Sequence, residues 1–600
     1  METAIALKAL SFGYGSRPLF KDLTLDIARE ERRVALIGED GAGKSTLLKL
    51  LAGLLLPSSG SVRLTTRKVG YMSQRLGLYE DLTVRENVAL HLRLCGEKDP
   101  AYPFTLLERV GLTPFTERLA GALSGGMKQK LALCLALTGK PKLLILDEPT
   151  VGVDPLSRGE IWTLINEILQ DSTTQCLFST AYLEETEHCD RVLMLRNGQL
   201  TLDGAPARLC EQLRGRTFSL SLKDVGQNLR RADLRLQPDL QAAGRELMLR
   251  AGEVETPYLD ICPREGRFYL LTPEVMTPES LRGKLAALMR SDPYLAAYAD
   301  GGFTLTQRRP GMEDVCLNAM QESQGKEAYG ERQAPAGPER ERGLQEAHVS
   351  PPDEITVRHL SRRFGAFTAV ESSDFEVHRG EIFALLGPNG AGKTTTFRML
   401  CALLKPSTGE IMVTGENLFT AKAAVRARIG YVSQKFSLYG KLTVRQNLEY
   451  FALSYGLDGE EKERRLEEVS RDFGLADFYA VEARDLPFGL QRQLSMACAL
   501  VHRPRILFLD EATSGADLSA RRRFWKRVLG LARSGTTVIV TTHFMEEAEY
   551  CDRFLIQDAG RILILGKPAE ICRDENGERL SIESTFKREV LKAREAQYAP

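Results

Sequence analysis

One series of short motifs runs twice along this chain in the same order, and that repeat constrains the fold more than any other feature. The first copy reads GEDGAGKST at 38–46, YMSQ ending at Gln74, LSGGMKQK from Leu123, LLILDEP ending at Pro149, and STAY at 179–182. The second reads GPNGAGKTT at 387–395, YVSQ ending at Gln434, LPFGLQRQ from Leu486, ILFLDEA ending at Ala512, and TTHF at 541–544. A repeat of this length describes two whole domains rather than the stacked units of a solenoid. Each glycine-rich loop follows a short apolar run (34–37 and 382–386) and opens an apolar-periodic helix (47–51 and 397–400). Strand, glycine-rich loop and helix in that order are the setting a phosphate-binding P-loop requires, so the expected class is α/β.

The chemistry follows from the residue types. Gly38, Gly41 and Gly43, with Gly387, Gly390 and Gly392, let consecutive backbone N–H groups wrap phosphates at a helix N-terminus. Lys44 and Lys393 add a point charge on the β- and γ-phosphates of ATP. Ser45 and Thr394 offer hydroxyls to Mg²⁺, and Thr46 and Thr395 complete the loops. Asp147 and Asp510 end apolar runs and are expected to hold the metal. Glu148 and Glu511 follow directly, placed to orient or deprotonate an attacking water. An ATPase is expected.

At 600 residues the chain is too long for one core. Its 80 basic and 80 acidic side chains balance, so no global field draws it to nucleic acid or anionic lipid. The eleven cysteines are scattered without a C-x-x-C, signalling neither zinc nor disulfides and fitting a reducing cytosol. No stretch reaches membrane-spanning length, and the N-terminus lacks the parts of a signal peptide. Thr83 with Glu86, and Thr443 with Gln446, read as capping boxes that open the same helix in both copies.

Four spans are expected: a first ATPase domain at 1–215, a small α/β accessory domain at 216–320, a flexible linker at 321–353 and a second ATPase domain at 354–600. In the accessory span, Phe218, Leu220 and Leu222 alternate as in a strand. Thr277 with Pro278 begins a helix whose Leu281, Leu285 and Leu288 share one face. The linker is rich in Glu, Arg, Gln, Gly and Pro, a composition that buries no core.

An LSGG signature between P-loop and acidic pair resembles the ABC (ATP-binding cassette) ATPases. The resemblance implies two cassettes closing face to face, each ATP held between one P-loop and the other cassette's signature. It assigns Tyr14 and Phe364 to adenine stacking, and Gln74 and Gln434 to the Q-loop as metal-binding groups, Gln74 also meeting ATP and Gln434 taking part in catalysis. Asp154 and Asp517 match the D-loop, Ser124, Gly125 and Gly126 the signature that contacts ATP, and His543 the switch histidine.

Two departures matter. In the second copy the signature is Leu486-Pro487-Phe488-Gly489, without the serine hydroxyl and with a proline that removes an N–H. In the first copy the switch histidine is Ala181; the two runs align without a gap, and His188 falls seven residues too late to replace it. With head-to-tail pairing, both losses fall in one composite site, leaving Lys393, Asp510, Glu511 and His543 facing an intact Ser124 signature. One hydrolytic site and one slow, ATP-binding site are expected. Pairing of like cassettes between chains is the arrangement that removes this asymmetry.

The EEAE-x-CDR run at 546–553 and the LYEDLTVREN and LYGKLTVRQN segments resemble ATPases of bacterial ABC-2-type exporters, the drug-resistance group, in tandem fused form. The segments at 311–315 and 581–586 are similar to that group's C-terminal signature. That resemblance implies integral-membrane permease partners, docked after Gln74 and Gln434 at 75–82 and 435–442, no nucleic acid, and a peripheral position on the cytoplasmic face of the inner membrane. The rivals are a tandem ABC ATPase acting on ribosomes or nucleic acid, which needs a basic helical linker, and a tandem sugar-importer ATPase.

Overall fold

The computed structural model describes residues 2–15, 17–97, 99–171, 173–223, 240–251, 253, 256–322, 353–434 and 437–598. Most of the expected linker and the start of the second docking loop, at 435–436, lie outside the described residues. The chain divides into two compact units. The first holds Met1–Gln212, Gly311–Ala319 and Gly515–Ser519; the second holds Leu213–Pro310, Met320–Ser514 and Ala520–Pro600.

In the first unit, Leu143–Asp147 and Gln175–Ser179 are buried at every position. Strands apolar on both faces suit a parallel sheet covered on both sides. They lie in a six-stranded sheet ordered Val69–Met72, Leu143–Asp147, Gln175–Ser179, Arg33–Gly38, Arg191–Arg196, Gln199–Gly204, antiparallel only at the last pair. The P-loop strand is central, and Asp147 pairs in register with Ser179. Gly38, Asp147 and Ser179 therefore emerge together at the carboxyl edge, where open α/β sheets bind ligands. A three-stranded antiparallel sheet of Arg17–Ala28, Thr3–Tyr14 and Ser59–Leu64 shares a core with it, in which Leu7, Leu25, Leu36, Leu48 and Ile145 meet.

The second unit repeats this plan with Ile429–Val432, Ile506–Asp510, Thr537–Thr541, Ile382–Leu386, Arg553–Asp558 and Arg561–Gly566. Both capping boxes form: the Thr83 and Thr443 hydroxyls accept from the amides of Glu86 and Gln446, whose side chains return to the cap amides.

Thr217–Leu222 and Phe303–Gln307 belong to a separate antiparallel sheet ordered Asp260–Arg264, Arg267–Leu271, Thr217–Leu222, Phe303–Gln307. Thr277 caps the helix Pro278–Arg290, whose buried residues include Leu281, Leu285 and Met289. Leu288 is only half-buried, because the buried arc centres on Leu285 and position 288 falls at its edge. The helix Met312–Glu322 begins inside the span read from sequence as accessory, and most of it, within Gly311–Ala319, belongs to the first unit. The accessory sheet is thus inserted ahead of a helix that packs with the first cassette. Among the described residues, no helix is long and apolar enough to cross a membrane.

Candidate active sites

Each P-loop turns through backbone that only glycine tolerates. Gly38 and Gly387 have φ of 146° and 157°, and a Cβ at either would lie 2.1 Å from the carbonyl oxygen of Leu195 or Gln557. Gly41, Gly43, Gly390 and Gly392 are also left-handed. Gly43 and Gly392 cap the helices Lys44–Leu51 and Lys393–Leu400. Lys44 Nζ donates to the carbonyls of Gly38 and Glu39 at 2.7 and 3.1 Å. Lys393 Nζ donates to those of Gly387 and Pro388 at 2.6 and 2.9 Å. Each ammonium is therefore held over its own loop.

The expected adenine-stacking rings are accessible: Tyr14 is 54% and Phe364 46% exposed. The Tyr14 hydroxyl lies 3.3 Å from that of Thr46, and the Arg362 guanidinium sits 4.6 Å from the Phe364 ring centre.

Beyond the loops the acidic pairs converge with their partners. Asp147 Oδ1 accepts from Ser45 Oγ at 3.0 Å and Ser179 Oγ at 2.8 Å. Asp510 Oδ1 accepts from Thr541 Oγ1 at 2.7 Å, and its Oδ2 lies 3.5 Å from the Tyr431 hydroxyl. Thr394 is exposed and Thr395 half-buried. Glu148 and Glu511 both stand in left-handed backbone, φ 52° and 47°. A non-glycine residue there is strained by about 1–3 kcal/mol, and such strain clusters at functional positions. The strain aims each carboxylate at the Q-loop: Gln74 Nε2 donates to Glu148 Oε2 at 2.7 Å, and Gln434 Nε2 donates to Glu511 Oε2.

Here the two sites part. His543 Nε2 lies 2.6 Å from Glu511 Oε1, both side chains nearly enclosed. Ala181 gives Glu148 no such partner, and His188 is exposed. The titration follows. Burial pushes Glu148 above the usual carboxylate value, Lys44 and Gln74 offsetting it only in part while Asp147 adds to it. Burial acts on Glu511 as well, but the His543 hydrogen bond and charge, with Lys393 and Gln434, outweigh it and bring the carboxylate below the usual value.

The signatures differ by side chain rather than by backbone. Ser124 and Pro487 both cap helices, Gly125–Leu137 and Phe488–Leu500, with extended backbone (ψ 162° and 146°). Only Ser124 carries a hydroxyl, which accepts from the Met127 amide at 3.3 Å. A Cβ on Gly126 would come within 3.2 Å of Ser157 Oγ. Asp154 accepts from Ser157 N–H and Oγ–H at 3.1 Å each. Within the first unit the Asp40 amide donates to the Asp517 carboxylate at 3.3 Å.

One pair of carboxylates beside the sites was not singled out in the sequence. Glu185 accepts from Thr150 and Trp162 at 2.7 Å each and from Thr180 at 2.5 Å. Glu547 accepts from Thr513 at 2.9 Å and Thr542 at 2.6 Å. In each cassette one carboxylate thus ties the loop after the acidic pair to the residue before the switch position. Its signal was an acidic residue kept in register in both copies inside an apolar-polar run, with a Thr in each partner motif.

The ABC transporter family pattern matches residues 20–151 and 370–514. The chain is 39% identical over 555 residues to the Escherichia coli protein named "Probable multidrug ABC transporter ATP-binding protein YbhF", covering 89% of this chain and 88% of that one. It is 39% identical over 229 residues to the daunorubicin resistance ATP-binding protein DrrA3 of Streptomyces coeruleorubidus, covering 38% of this chain and 72% of that one. The Nod factor export ATP-binding protein I of Cupriavidus metallidurans is 38% identical over 224 residues, 37% of this chain and 74% of that one.

Proposed function

This chain belongs to the ABC transporter family as a tandem ATP-binding ATPase, and on that premise we propose that it drives a bacterial exporter of drug-like compounds through one competent and one degenerate ATP site. The observation that carries the asymmetry is the Glu511–His543 pair at 2.6 Å, set against Ala181 in the first cassette. Export is supported by the names of the relatives, two of which concern drug resistance or multidrug transport and one export. The partners are integral-membrane permease subunits, and the chain sits peripherally on the cytoplasmic face of the membrane. In this reading the two cassettes pair within the chain.

Mg²⁺ fits the hydroxyl, carboxylate and amide oxygens of Ser45, Asp147 and Gln74, and of Thr394, Asp510 and Gln434, an all-oxygen set that suits a hard cation. Bound there it supplies charge neutralisation at the β- and γ-phosphates. Glu511, ionised at neutral pH, takes a proton from the attacking water. His543 and Gln434 hold the two oxygens of that carboxylate and so fix its direction. Lys393 and the Ser124 hydroxyl of the first cassette stabilise charge growing on the γ-phosphoryl oxygens. At the other site Glu148 is a carboxyl displaced towards its neutral form, without a switch histidine, facing Pro487. That site holds ATP and turns over slowly.

Purification from detergent-solubilised membranes tests the transporter assignment. Co-elution of the full-length chain with a polytopic membrane protein is expected; co-sedimentation with ribosomes and no membrane partner would contradict it.

A further inference from the structure

The accessory sheet and the second cassette lie in one compact unit, and their contact falls on segments next to the hydrolytic machinery. His543 is followed by the short helix Met545–Tyr550, and Asp517 by the helix Leu518–Arg533. Accessory side chains meet both. Arg264 lies 3.9 Å from Glu546, and the Glu265 amide donates to Glu549 at 3.1 Å. Arg245 pairs with Asp552, whose carboxylate also accepts the Ile382 amide at 2.8 Å at the foot of the P-loop strand. On the helix, Arg522 lies 3.3 Å from Asp260 and Arg533 3.0 Å from Glu246, while Lys526 Nζ donates to the Ala251 carbonyl at 2.8 Å.

Two features make this a built interface. First, the charges alternate. The accessory side gives Arg245 and Arg264 to acids, and Asp260 and Glu246 to arginines, so a shifted register sets like charges together. Several members are well enclosed: the Asp260 and Arg522 side chains are 10% and 13% exposed, and Glu246 7%. Second, the cations belong to one cassette only. Trp162 aligns with Trp525, so the first copy carries Gly159, Thr163 and Gln170 where the second carries Arg522, Lys526 and Arg533. The basic docking face is present on the cassette that holds His543 and missing from the one that holds Ala181.

We propose that the accessory domain is an intramolecular brace for the second cassette, seated on Met545–Tyr550 and Leu518–Arg533, which positions His543 against Glu511 for hydrolysis. It rests on the reading of the second cassette as the hydrolytic one. Arg245, Arg264, Asp260 and Glu246 are positioning residues, acting through the segments on which they sit. Reversing one enclosed pair member forces like charges together beside the switch segment, which loosens the His543–Glu511 contact without touching the P-loop.

The test uses the purified full-length chain with Asp260→Arg, Arg522→Asp and the double swap, measuring kcat per nucleotide-binding chain, KM for ATP and binding stoichiometry. Each single reversal is expected to lower kcat about tenfold with KM and stoichiometry held within about twofold, and the swap to recover most of the loss. Unchanged kcat in the single variants, or a loss that the swap does not repair while stoichiometry stays full, would overturn the brace. Where single variants fold poorly, Arg264→Glu gives the same reading from the other end of the interface. Glu511→Gln and Glu148→Gln run beside them keep the two claims apart. Equal loss in those two removes the one-site reading, whereas a kcat indifferent to Asp260 and Arg522 removes only the brace.

Discussion

The imidazole of His543 stands 2.6 Å from the carboxylate of Glu511, and the first cassette places the methyl group of Ala181 at the equivalent position. Around this one difference the two acidic sites are otherwise alike: left-handed backbone at the glutamate, a glutamine on its side chain, and a hydroxyl from the neighbouring strand on its amide, at 2.9 Å from Ser179 and 3.0 Å from Thr541. Burial, with Asp147 adding to it, displaces the Glu148 carboxyl upward, whereas His543, with Lys393 and Gln434, outweighs burial at Glu511 and displaces it downward.

His543→Ala removes the partner that holds Glu511 Oε1 and helps bring its carboxyl below the usual value. ATPase activity of the full-length chain is expected to fall about a hundredfold, with nucleotide affinity changed less than about threefold. Steady-state turnover alongside equilibrium nucleotide binding checks both halves.

Ala181→His alone should not create a second hydrolytic site. The signature expected to face it carries Pro487, which has neither hydroxyl nor N–H. Turnover is expected to stay within about twofold of the parent. A clear gain would mean that the facing signature is not the one at 486–489.

Glu547→Ala leaves the hydroxyls of Thr513 and Thr542 without their acceptor. The unmade bonds cost about 1–3 kcal/mol, and the link between the loop after Glu511 and the residue before His543 is lost. Lower unfolding midpoints and about tenfold slower turnover are expected. Glu185→Ala should destabilise similarly while leaving turnover nearly intact, because its cassette carries Ala181. Paired thermal melts and ATPase assays separate these outcomes.

His502 offers a pH signature away from chemistry. Its ring stacks on Tyr455 with 3.5 Å between centroids, and its Nε2–H donates to the Ile429 carbonyl at 3.1 Å. Burial pulls its pKa down from 6.5 to about 4. The unfolded chain therefore binds the proton more readily. The contribution is fully present above pH 6.5 and is lost as pH falls through about 4. The loss amounts to about 3 kcal/mol. Melting temperature should fall over that window in the parent and much less in His502→Phe.

Much of this was legible in the sequence, for reasons that differ by element. Gly38 and Gly387 were readable because a motif that wraps phosphates needs backbone only glycine adopts. Thr83 and Thr443 were readable because a capping box is local chemistry. Leu288 was misplaced because its turn pattern fits a face whose true centre is set by what packs against it, and Met289 took that place. Glu547 was read only as part of the 546–553 run and Glu185 was not singled out, since the hydroxyl donors that meet each carboxylate arrive from two other segments. The grouping of Gly311–Ala319 with the first unit, and the pairing of Arg522 with Asp260, depend on contacts between distant parts of the chain. Local pattern carries no trace of them.

The most direct test of the central claim is steady-state ATPase activity of the full-length chain carrying Glu511→Gln beside Glu148→Gln. Loss of a general base costs about 10²–10⁴-fold, so Glu511→Gln is expected to leave under about 1% of the parent rate, while Glu148→Gln keeps more than about half. Equal loss in the two variants would contradict a single hydrolytic site.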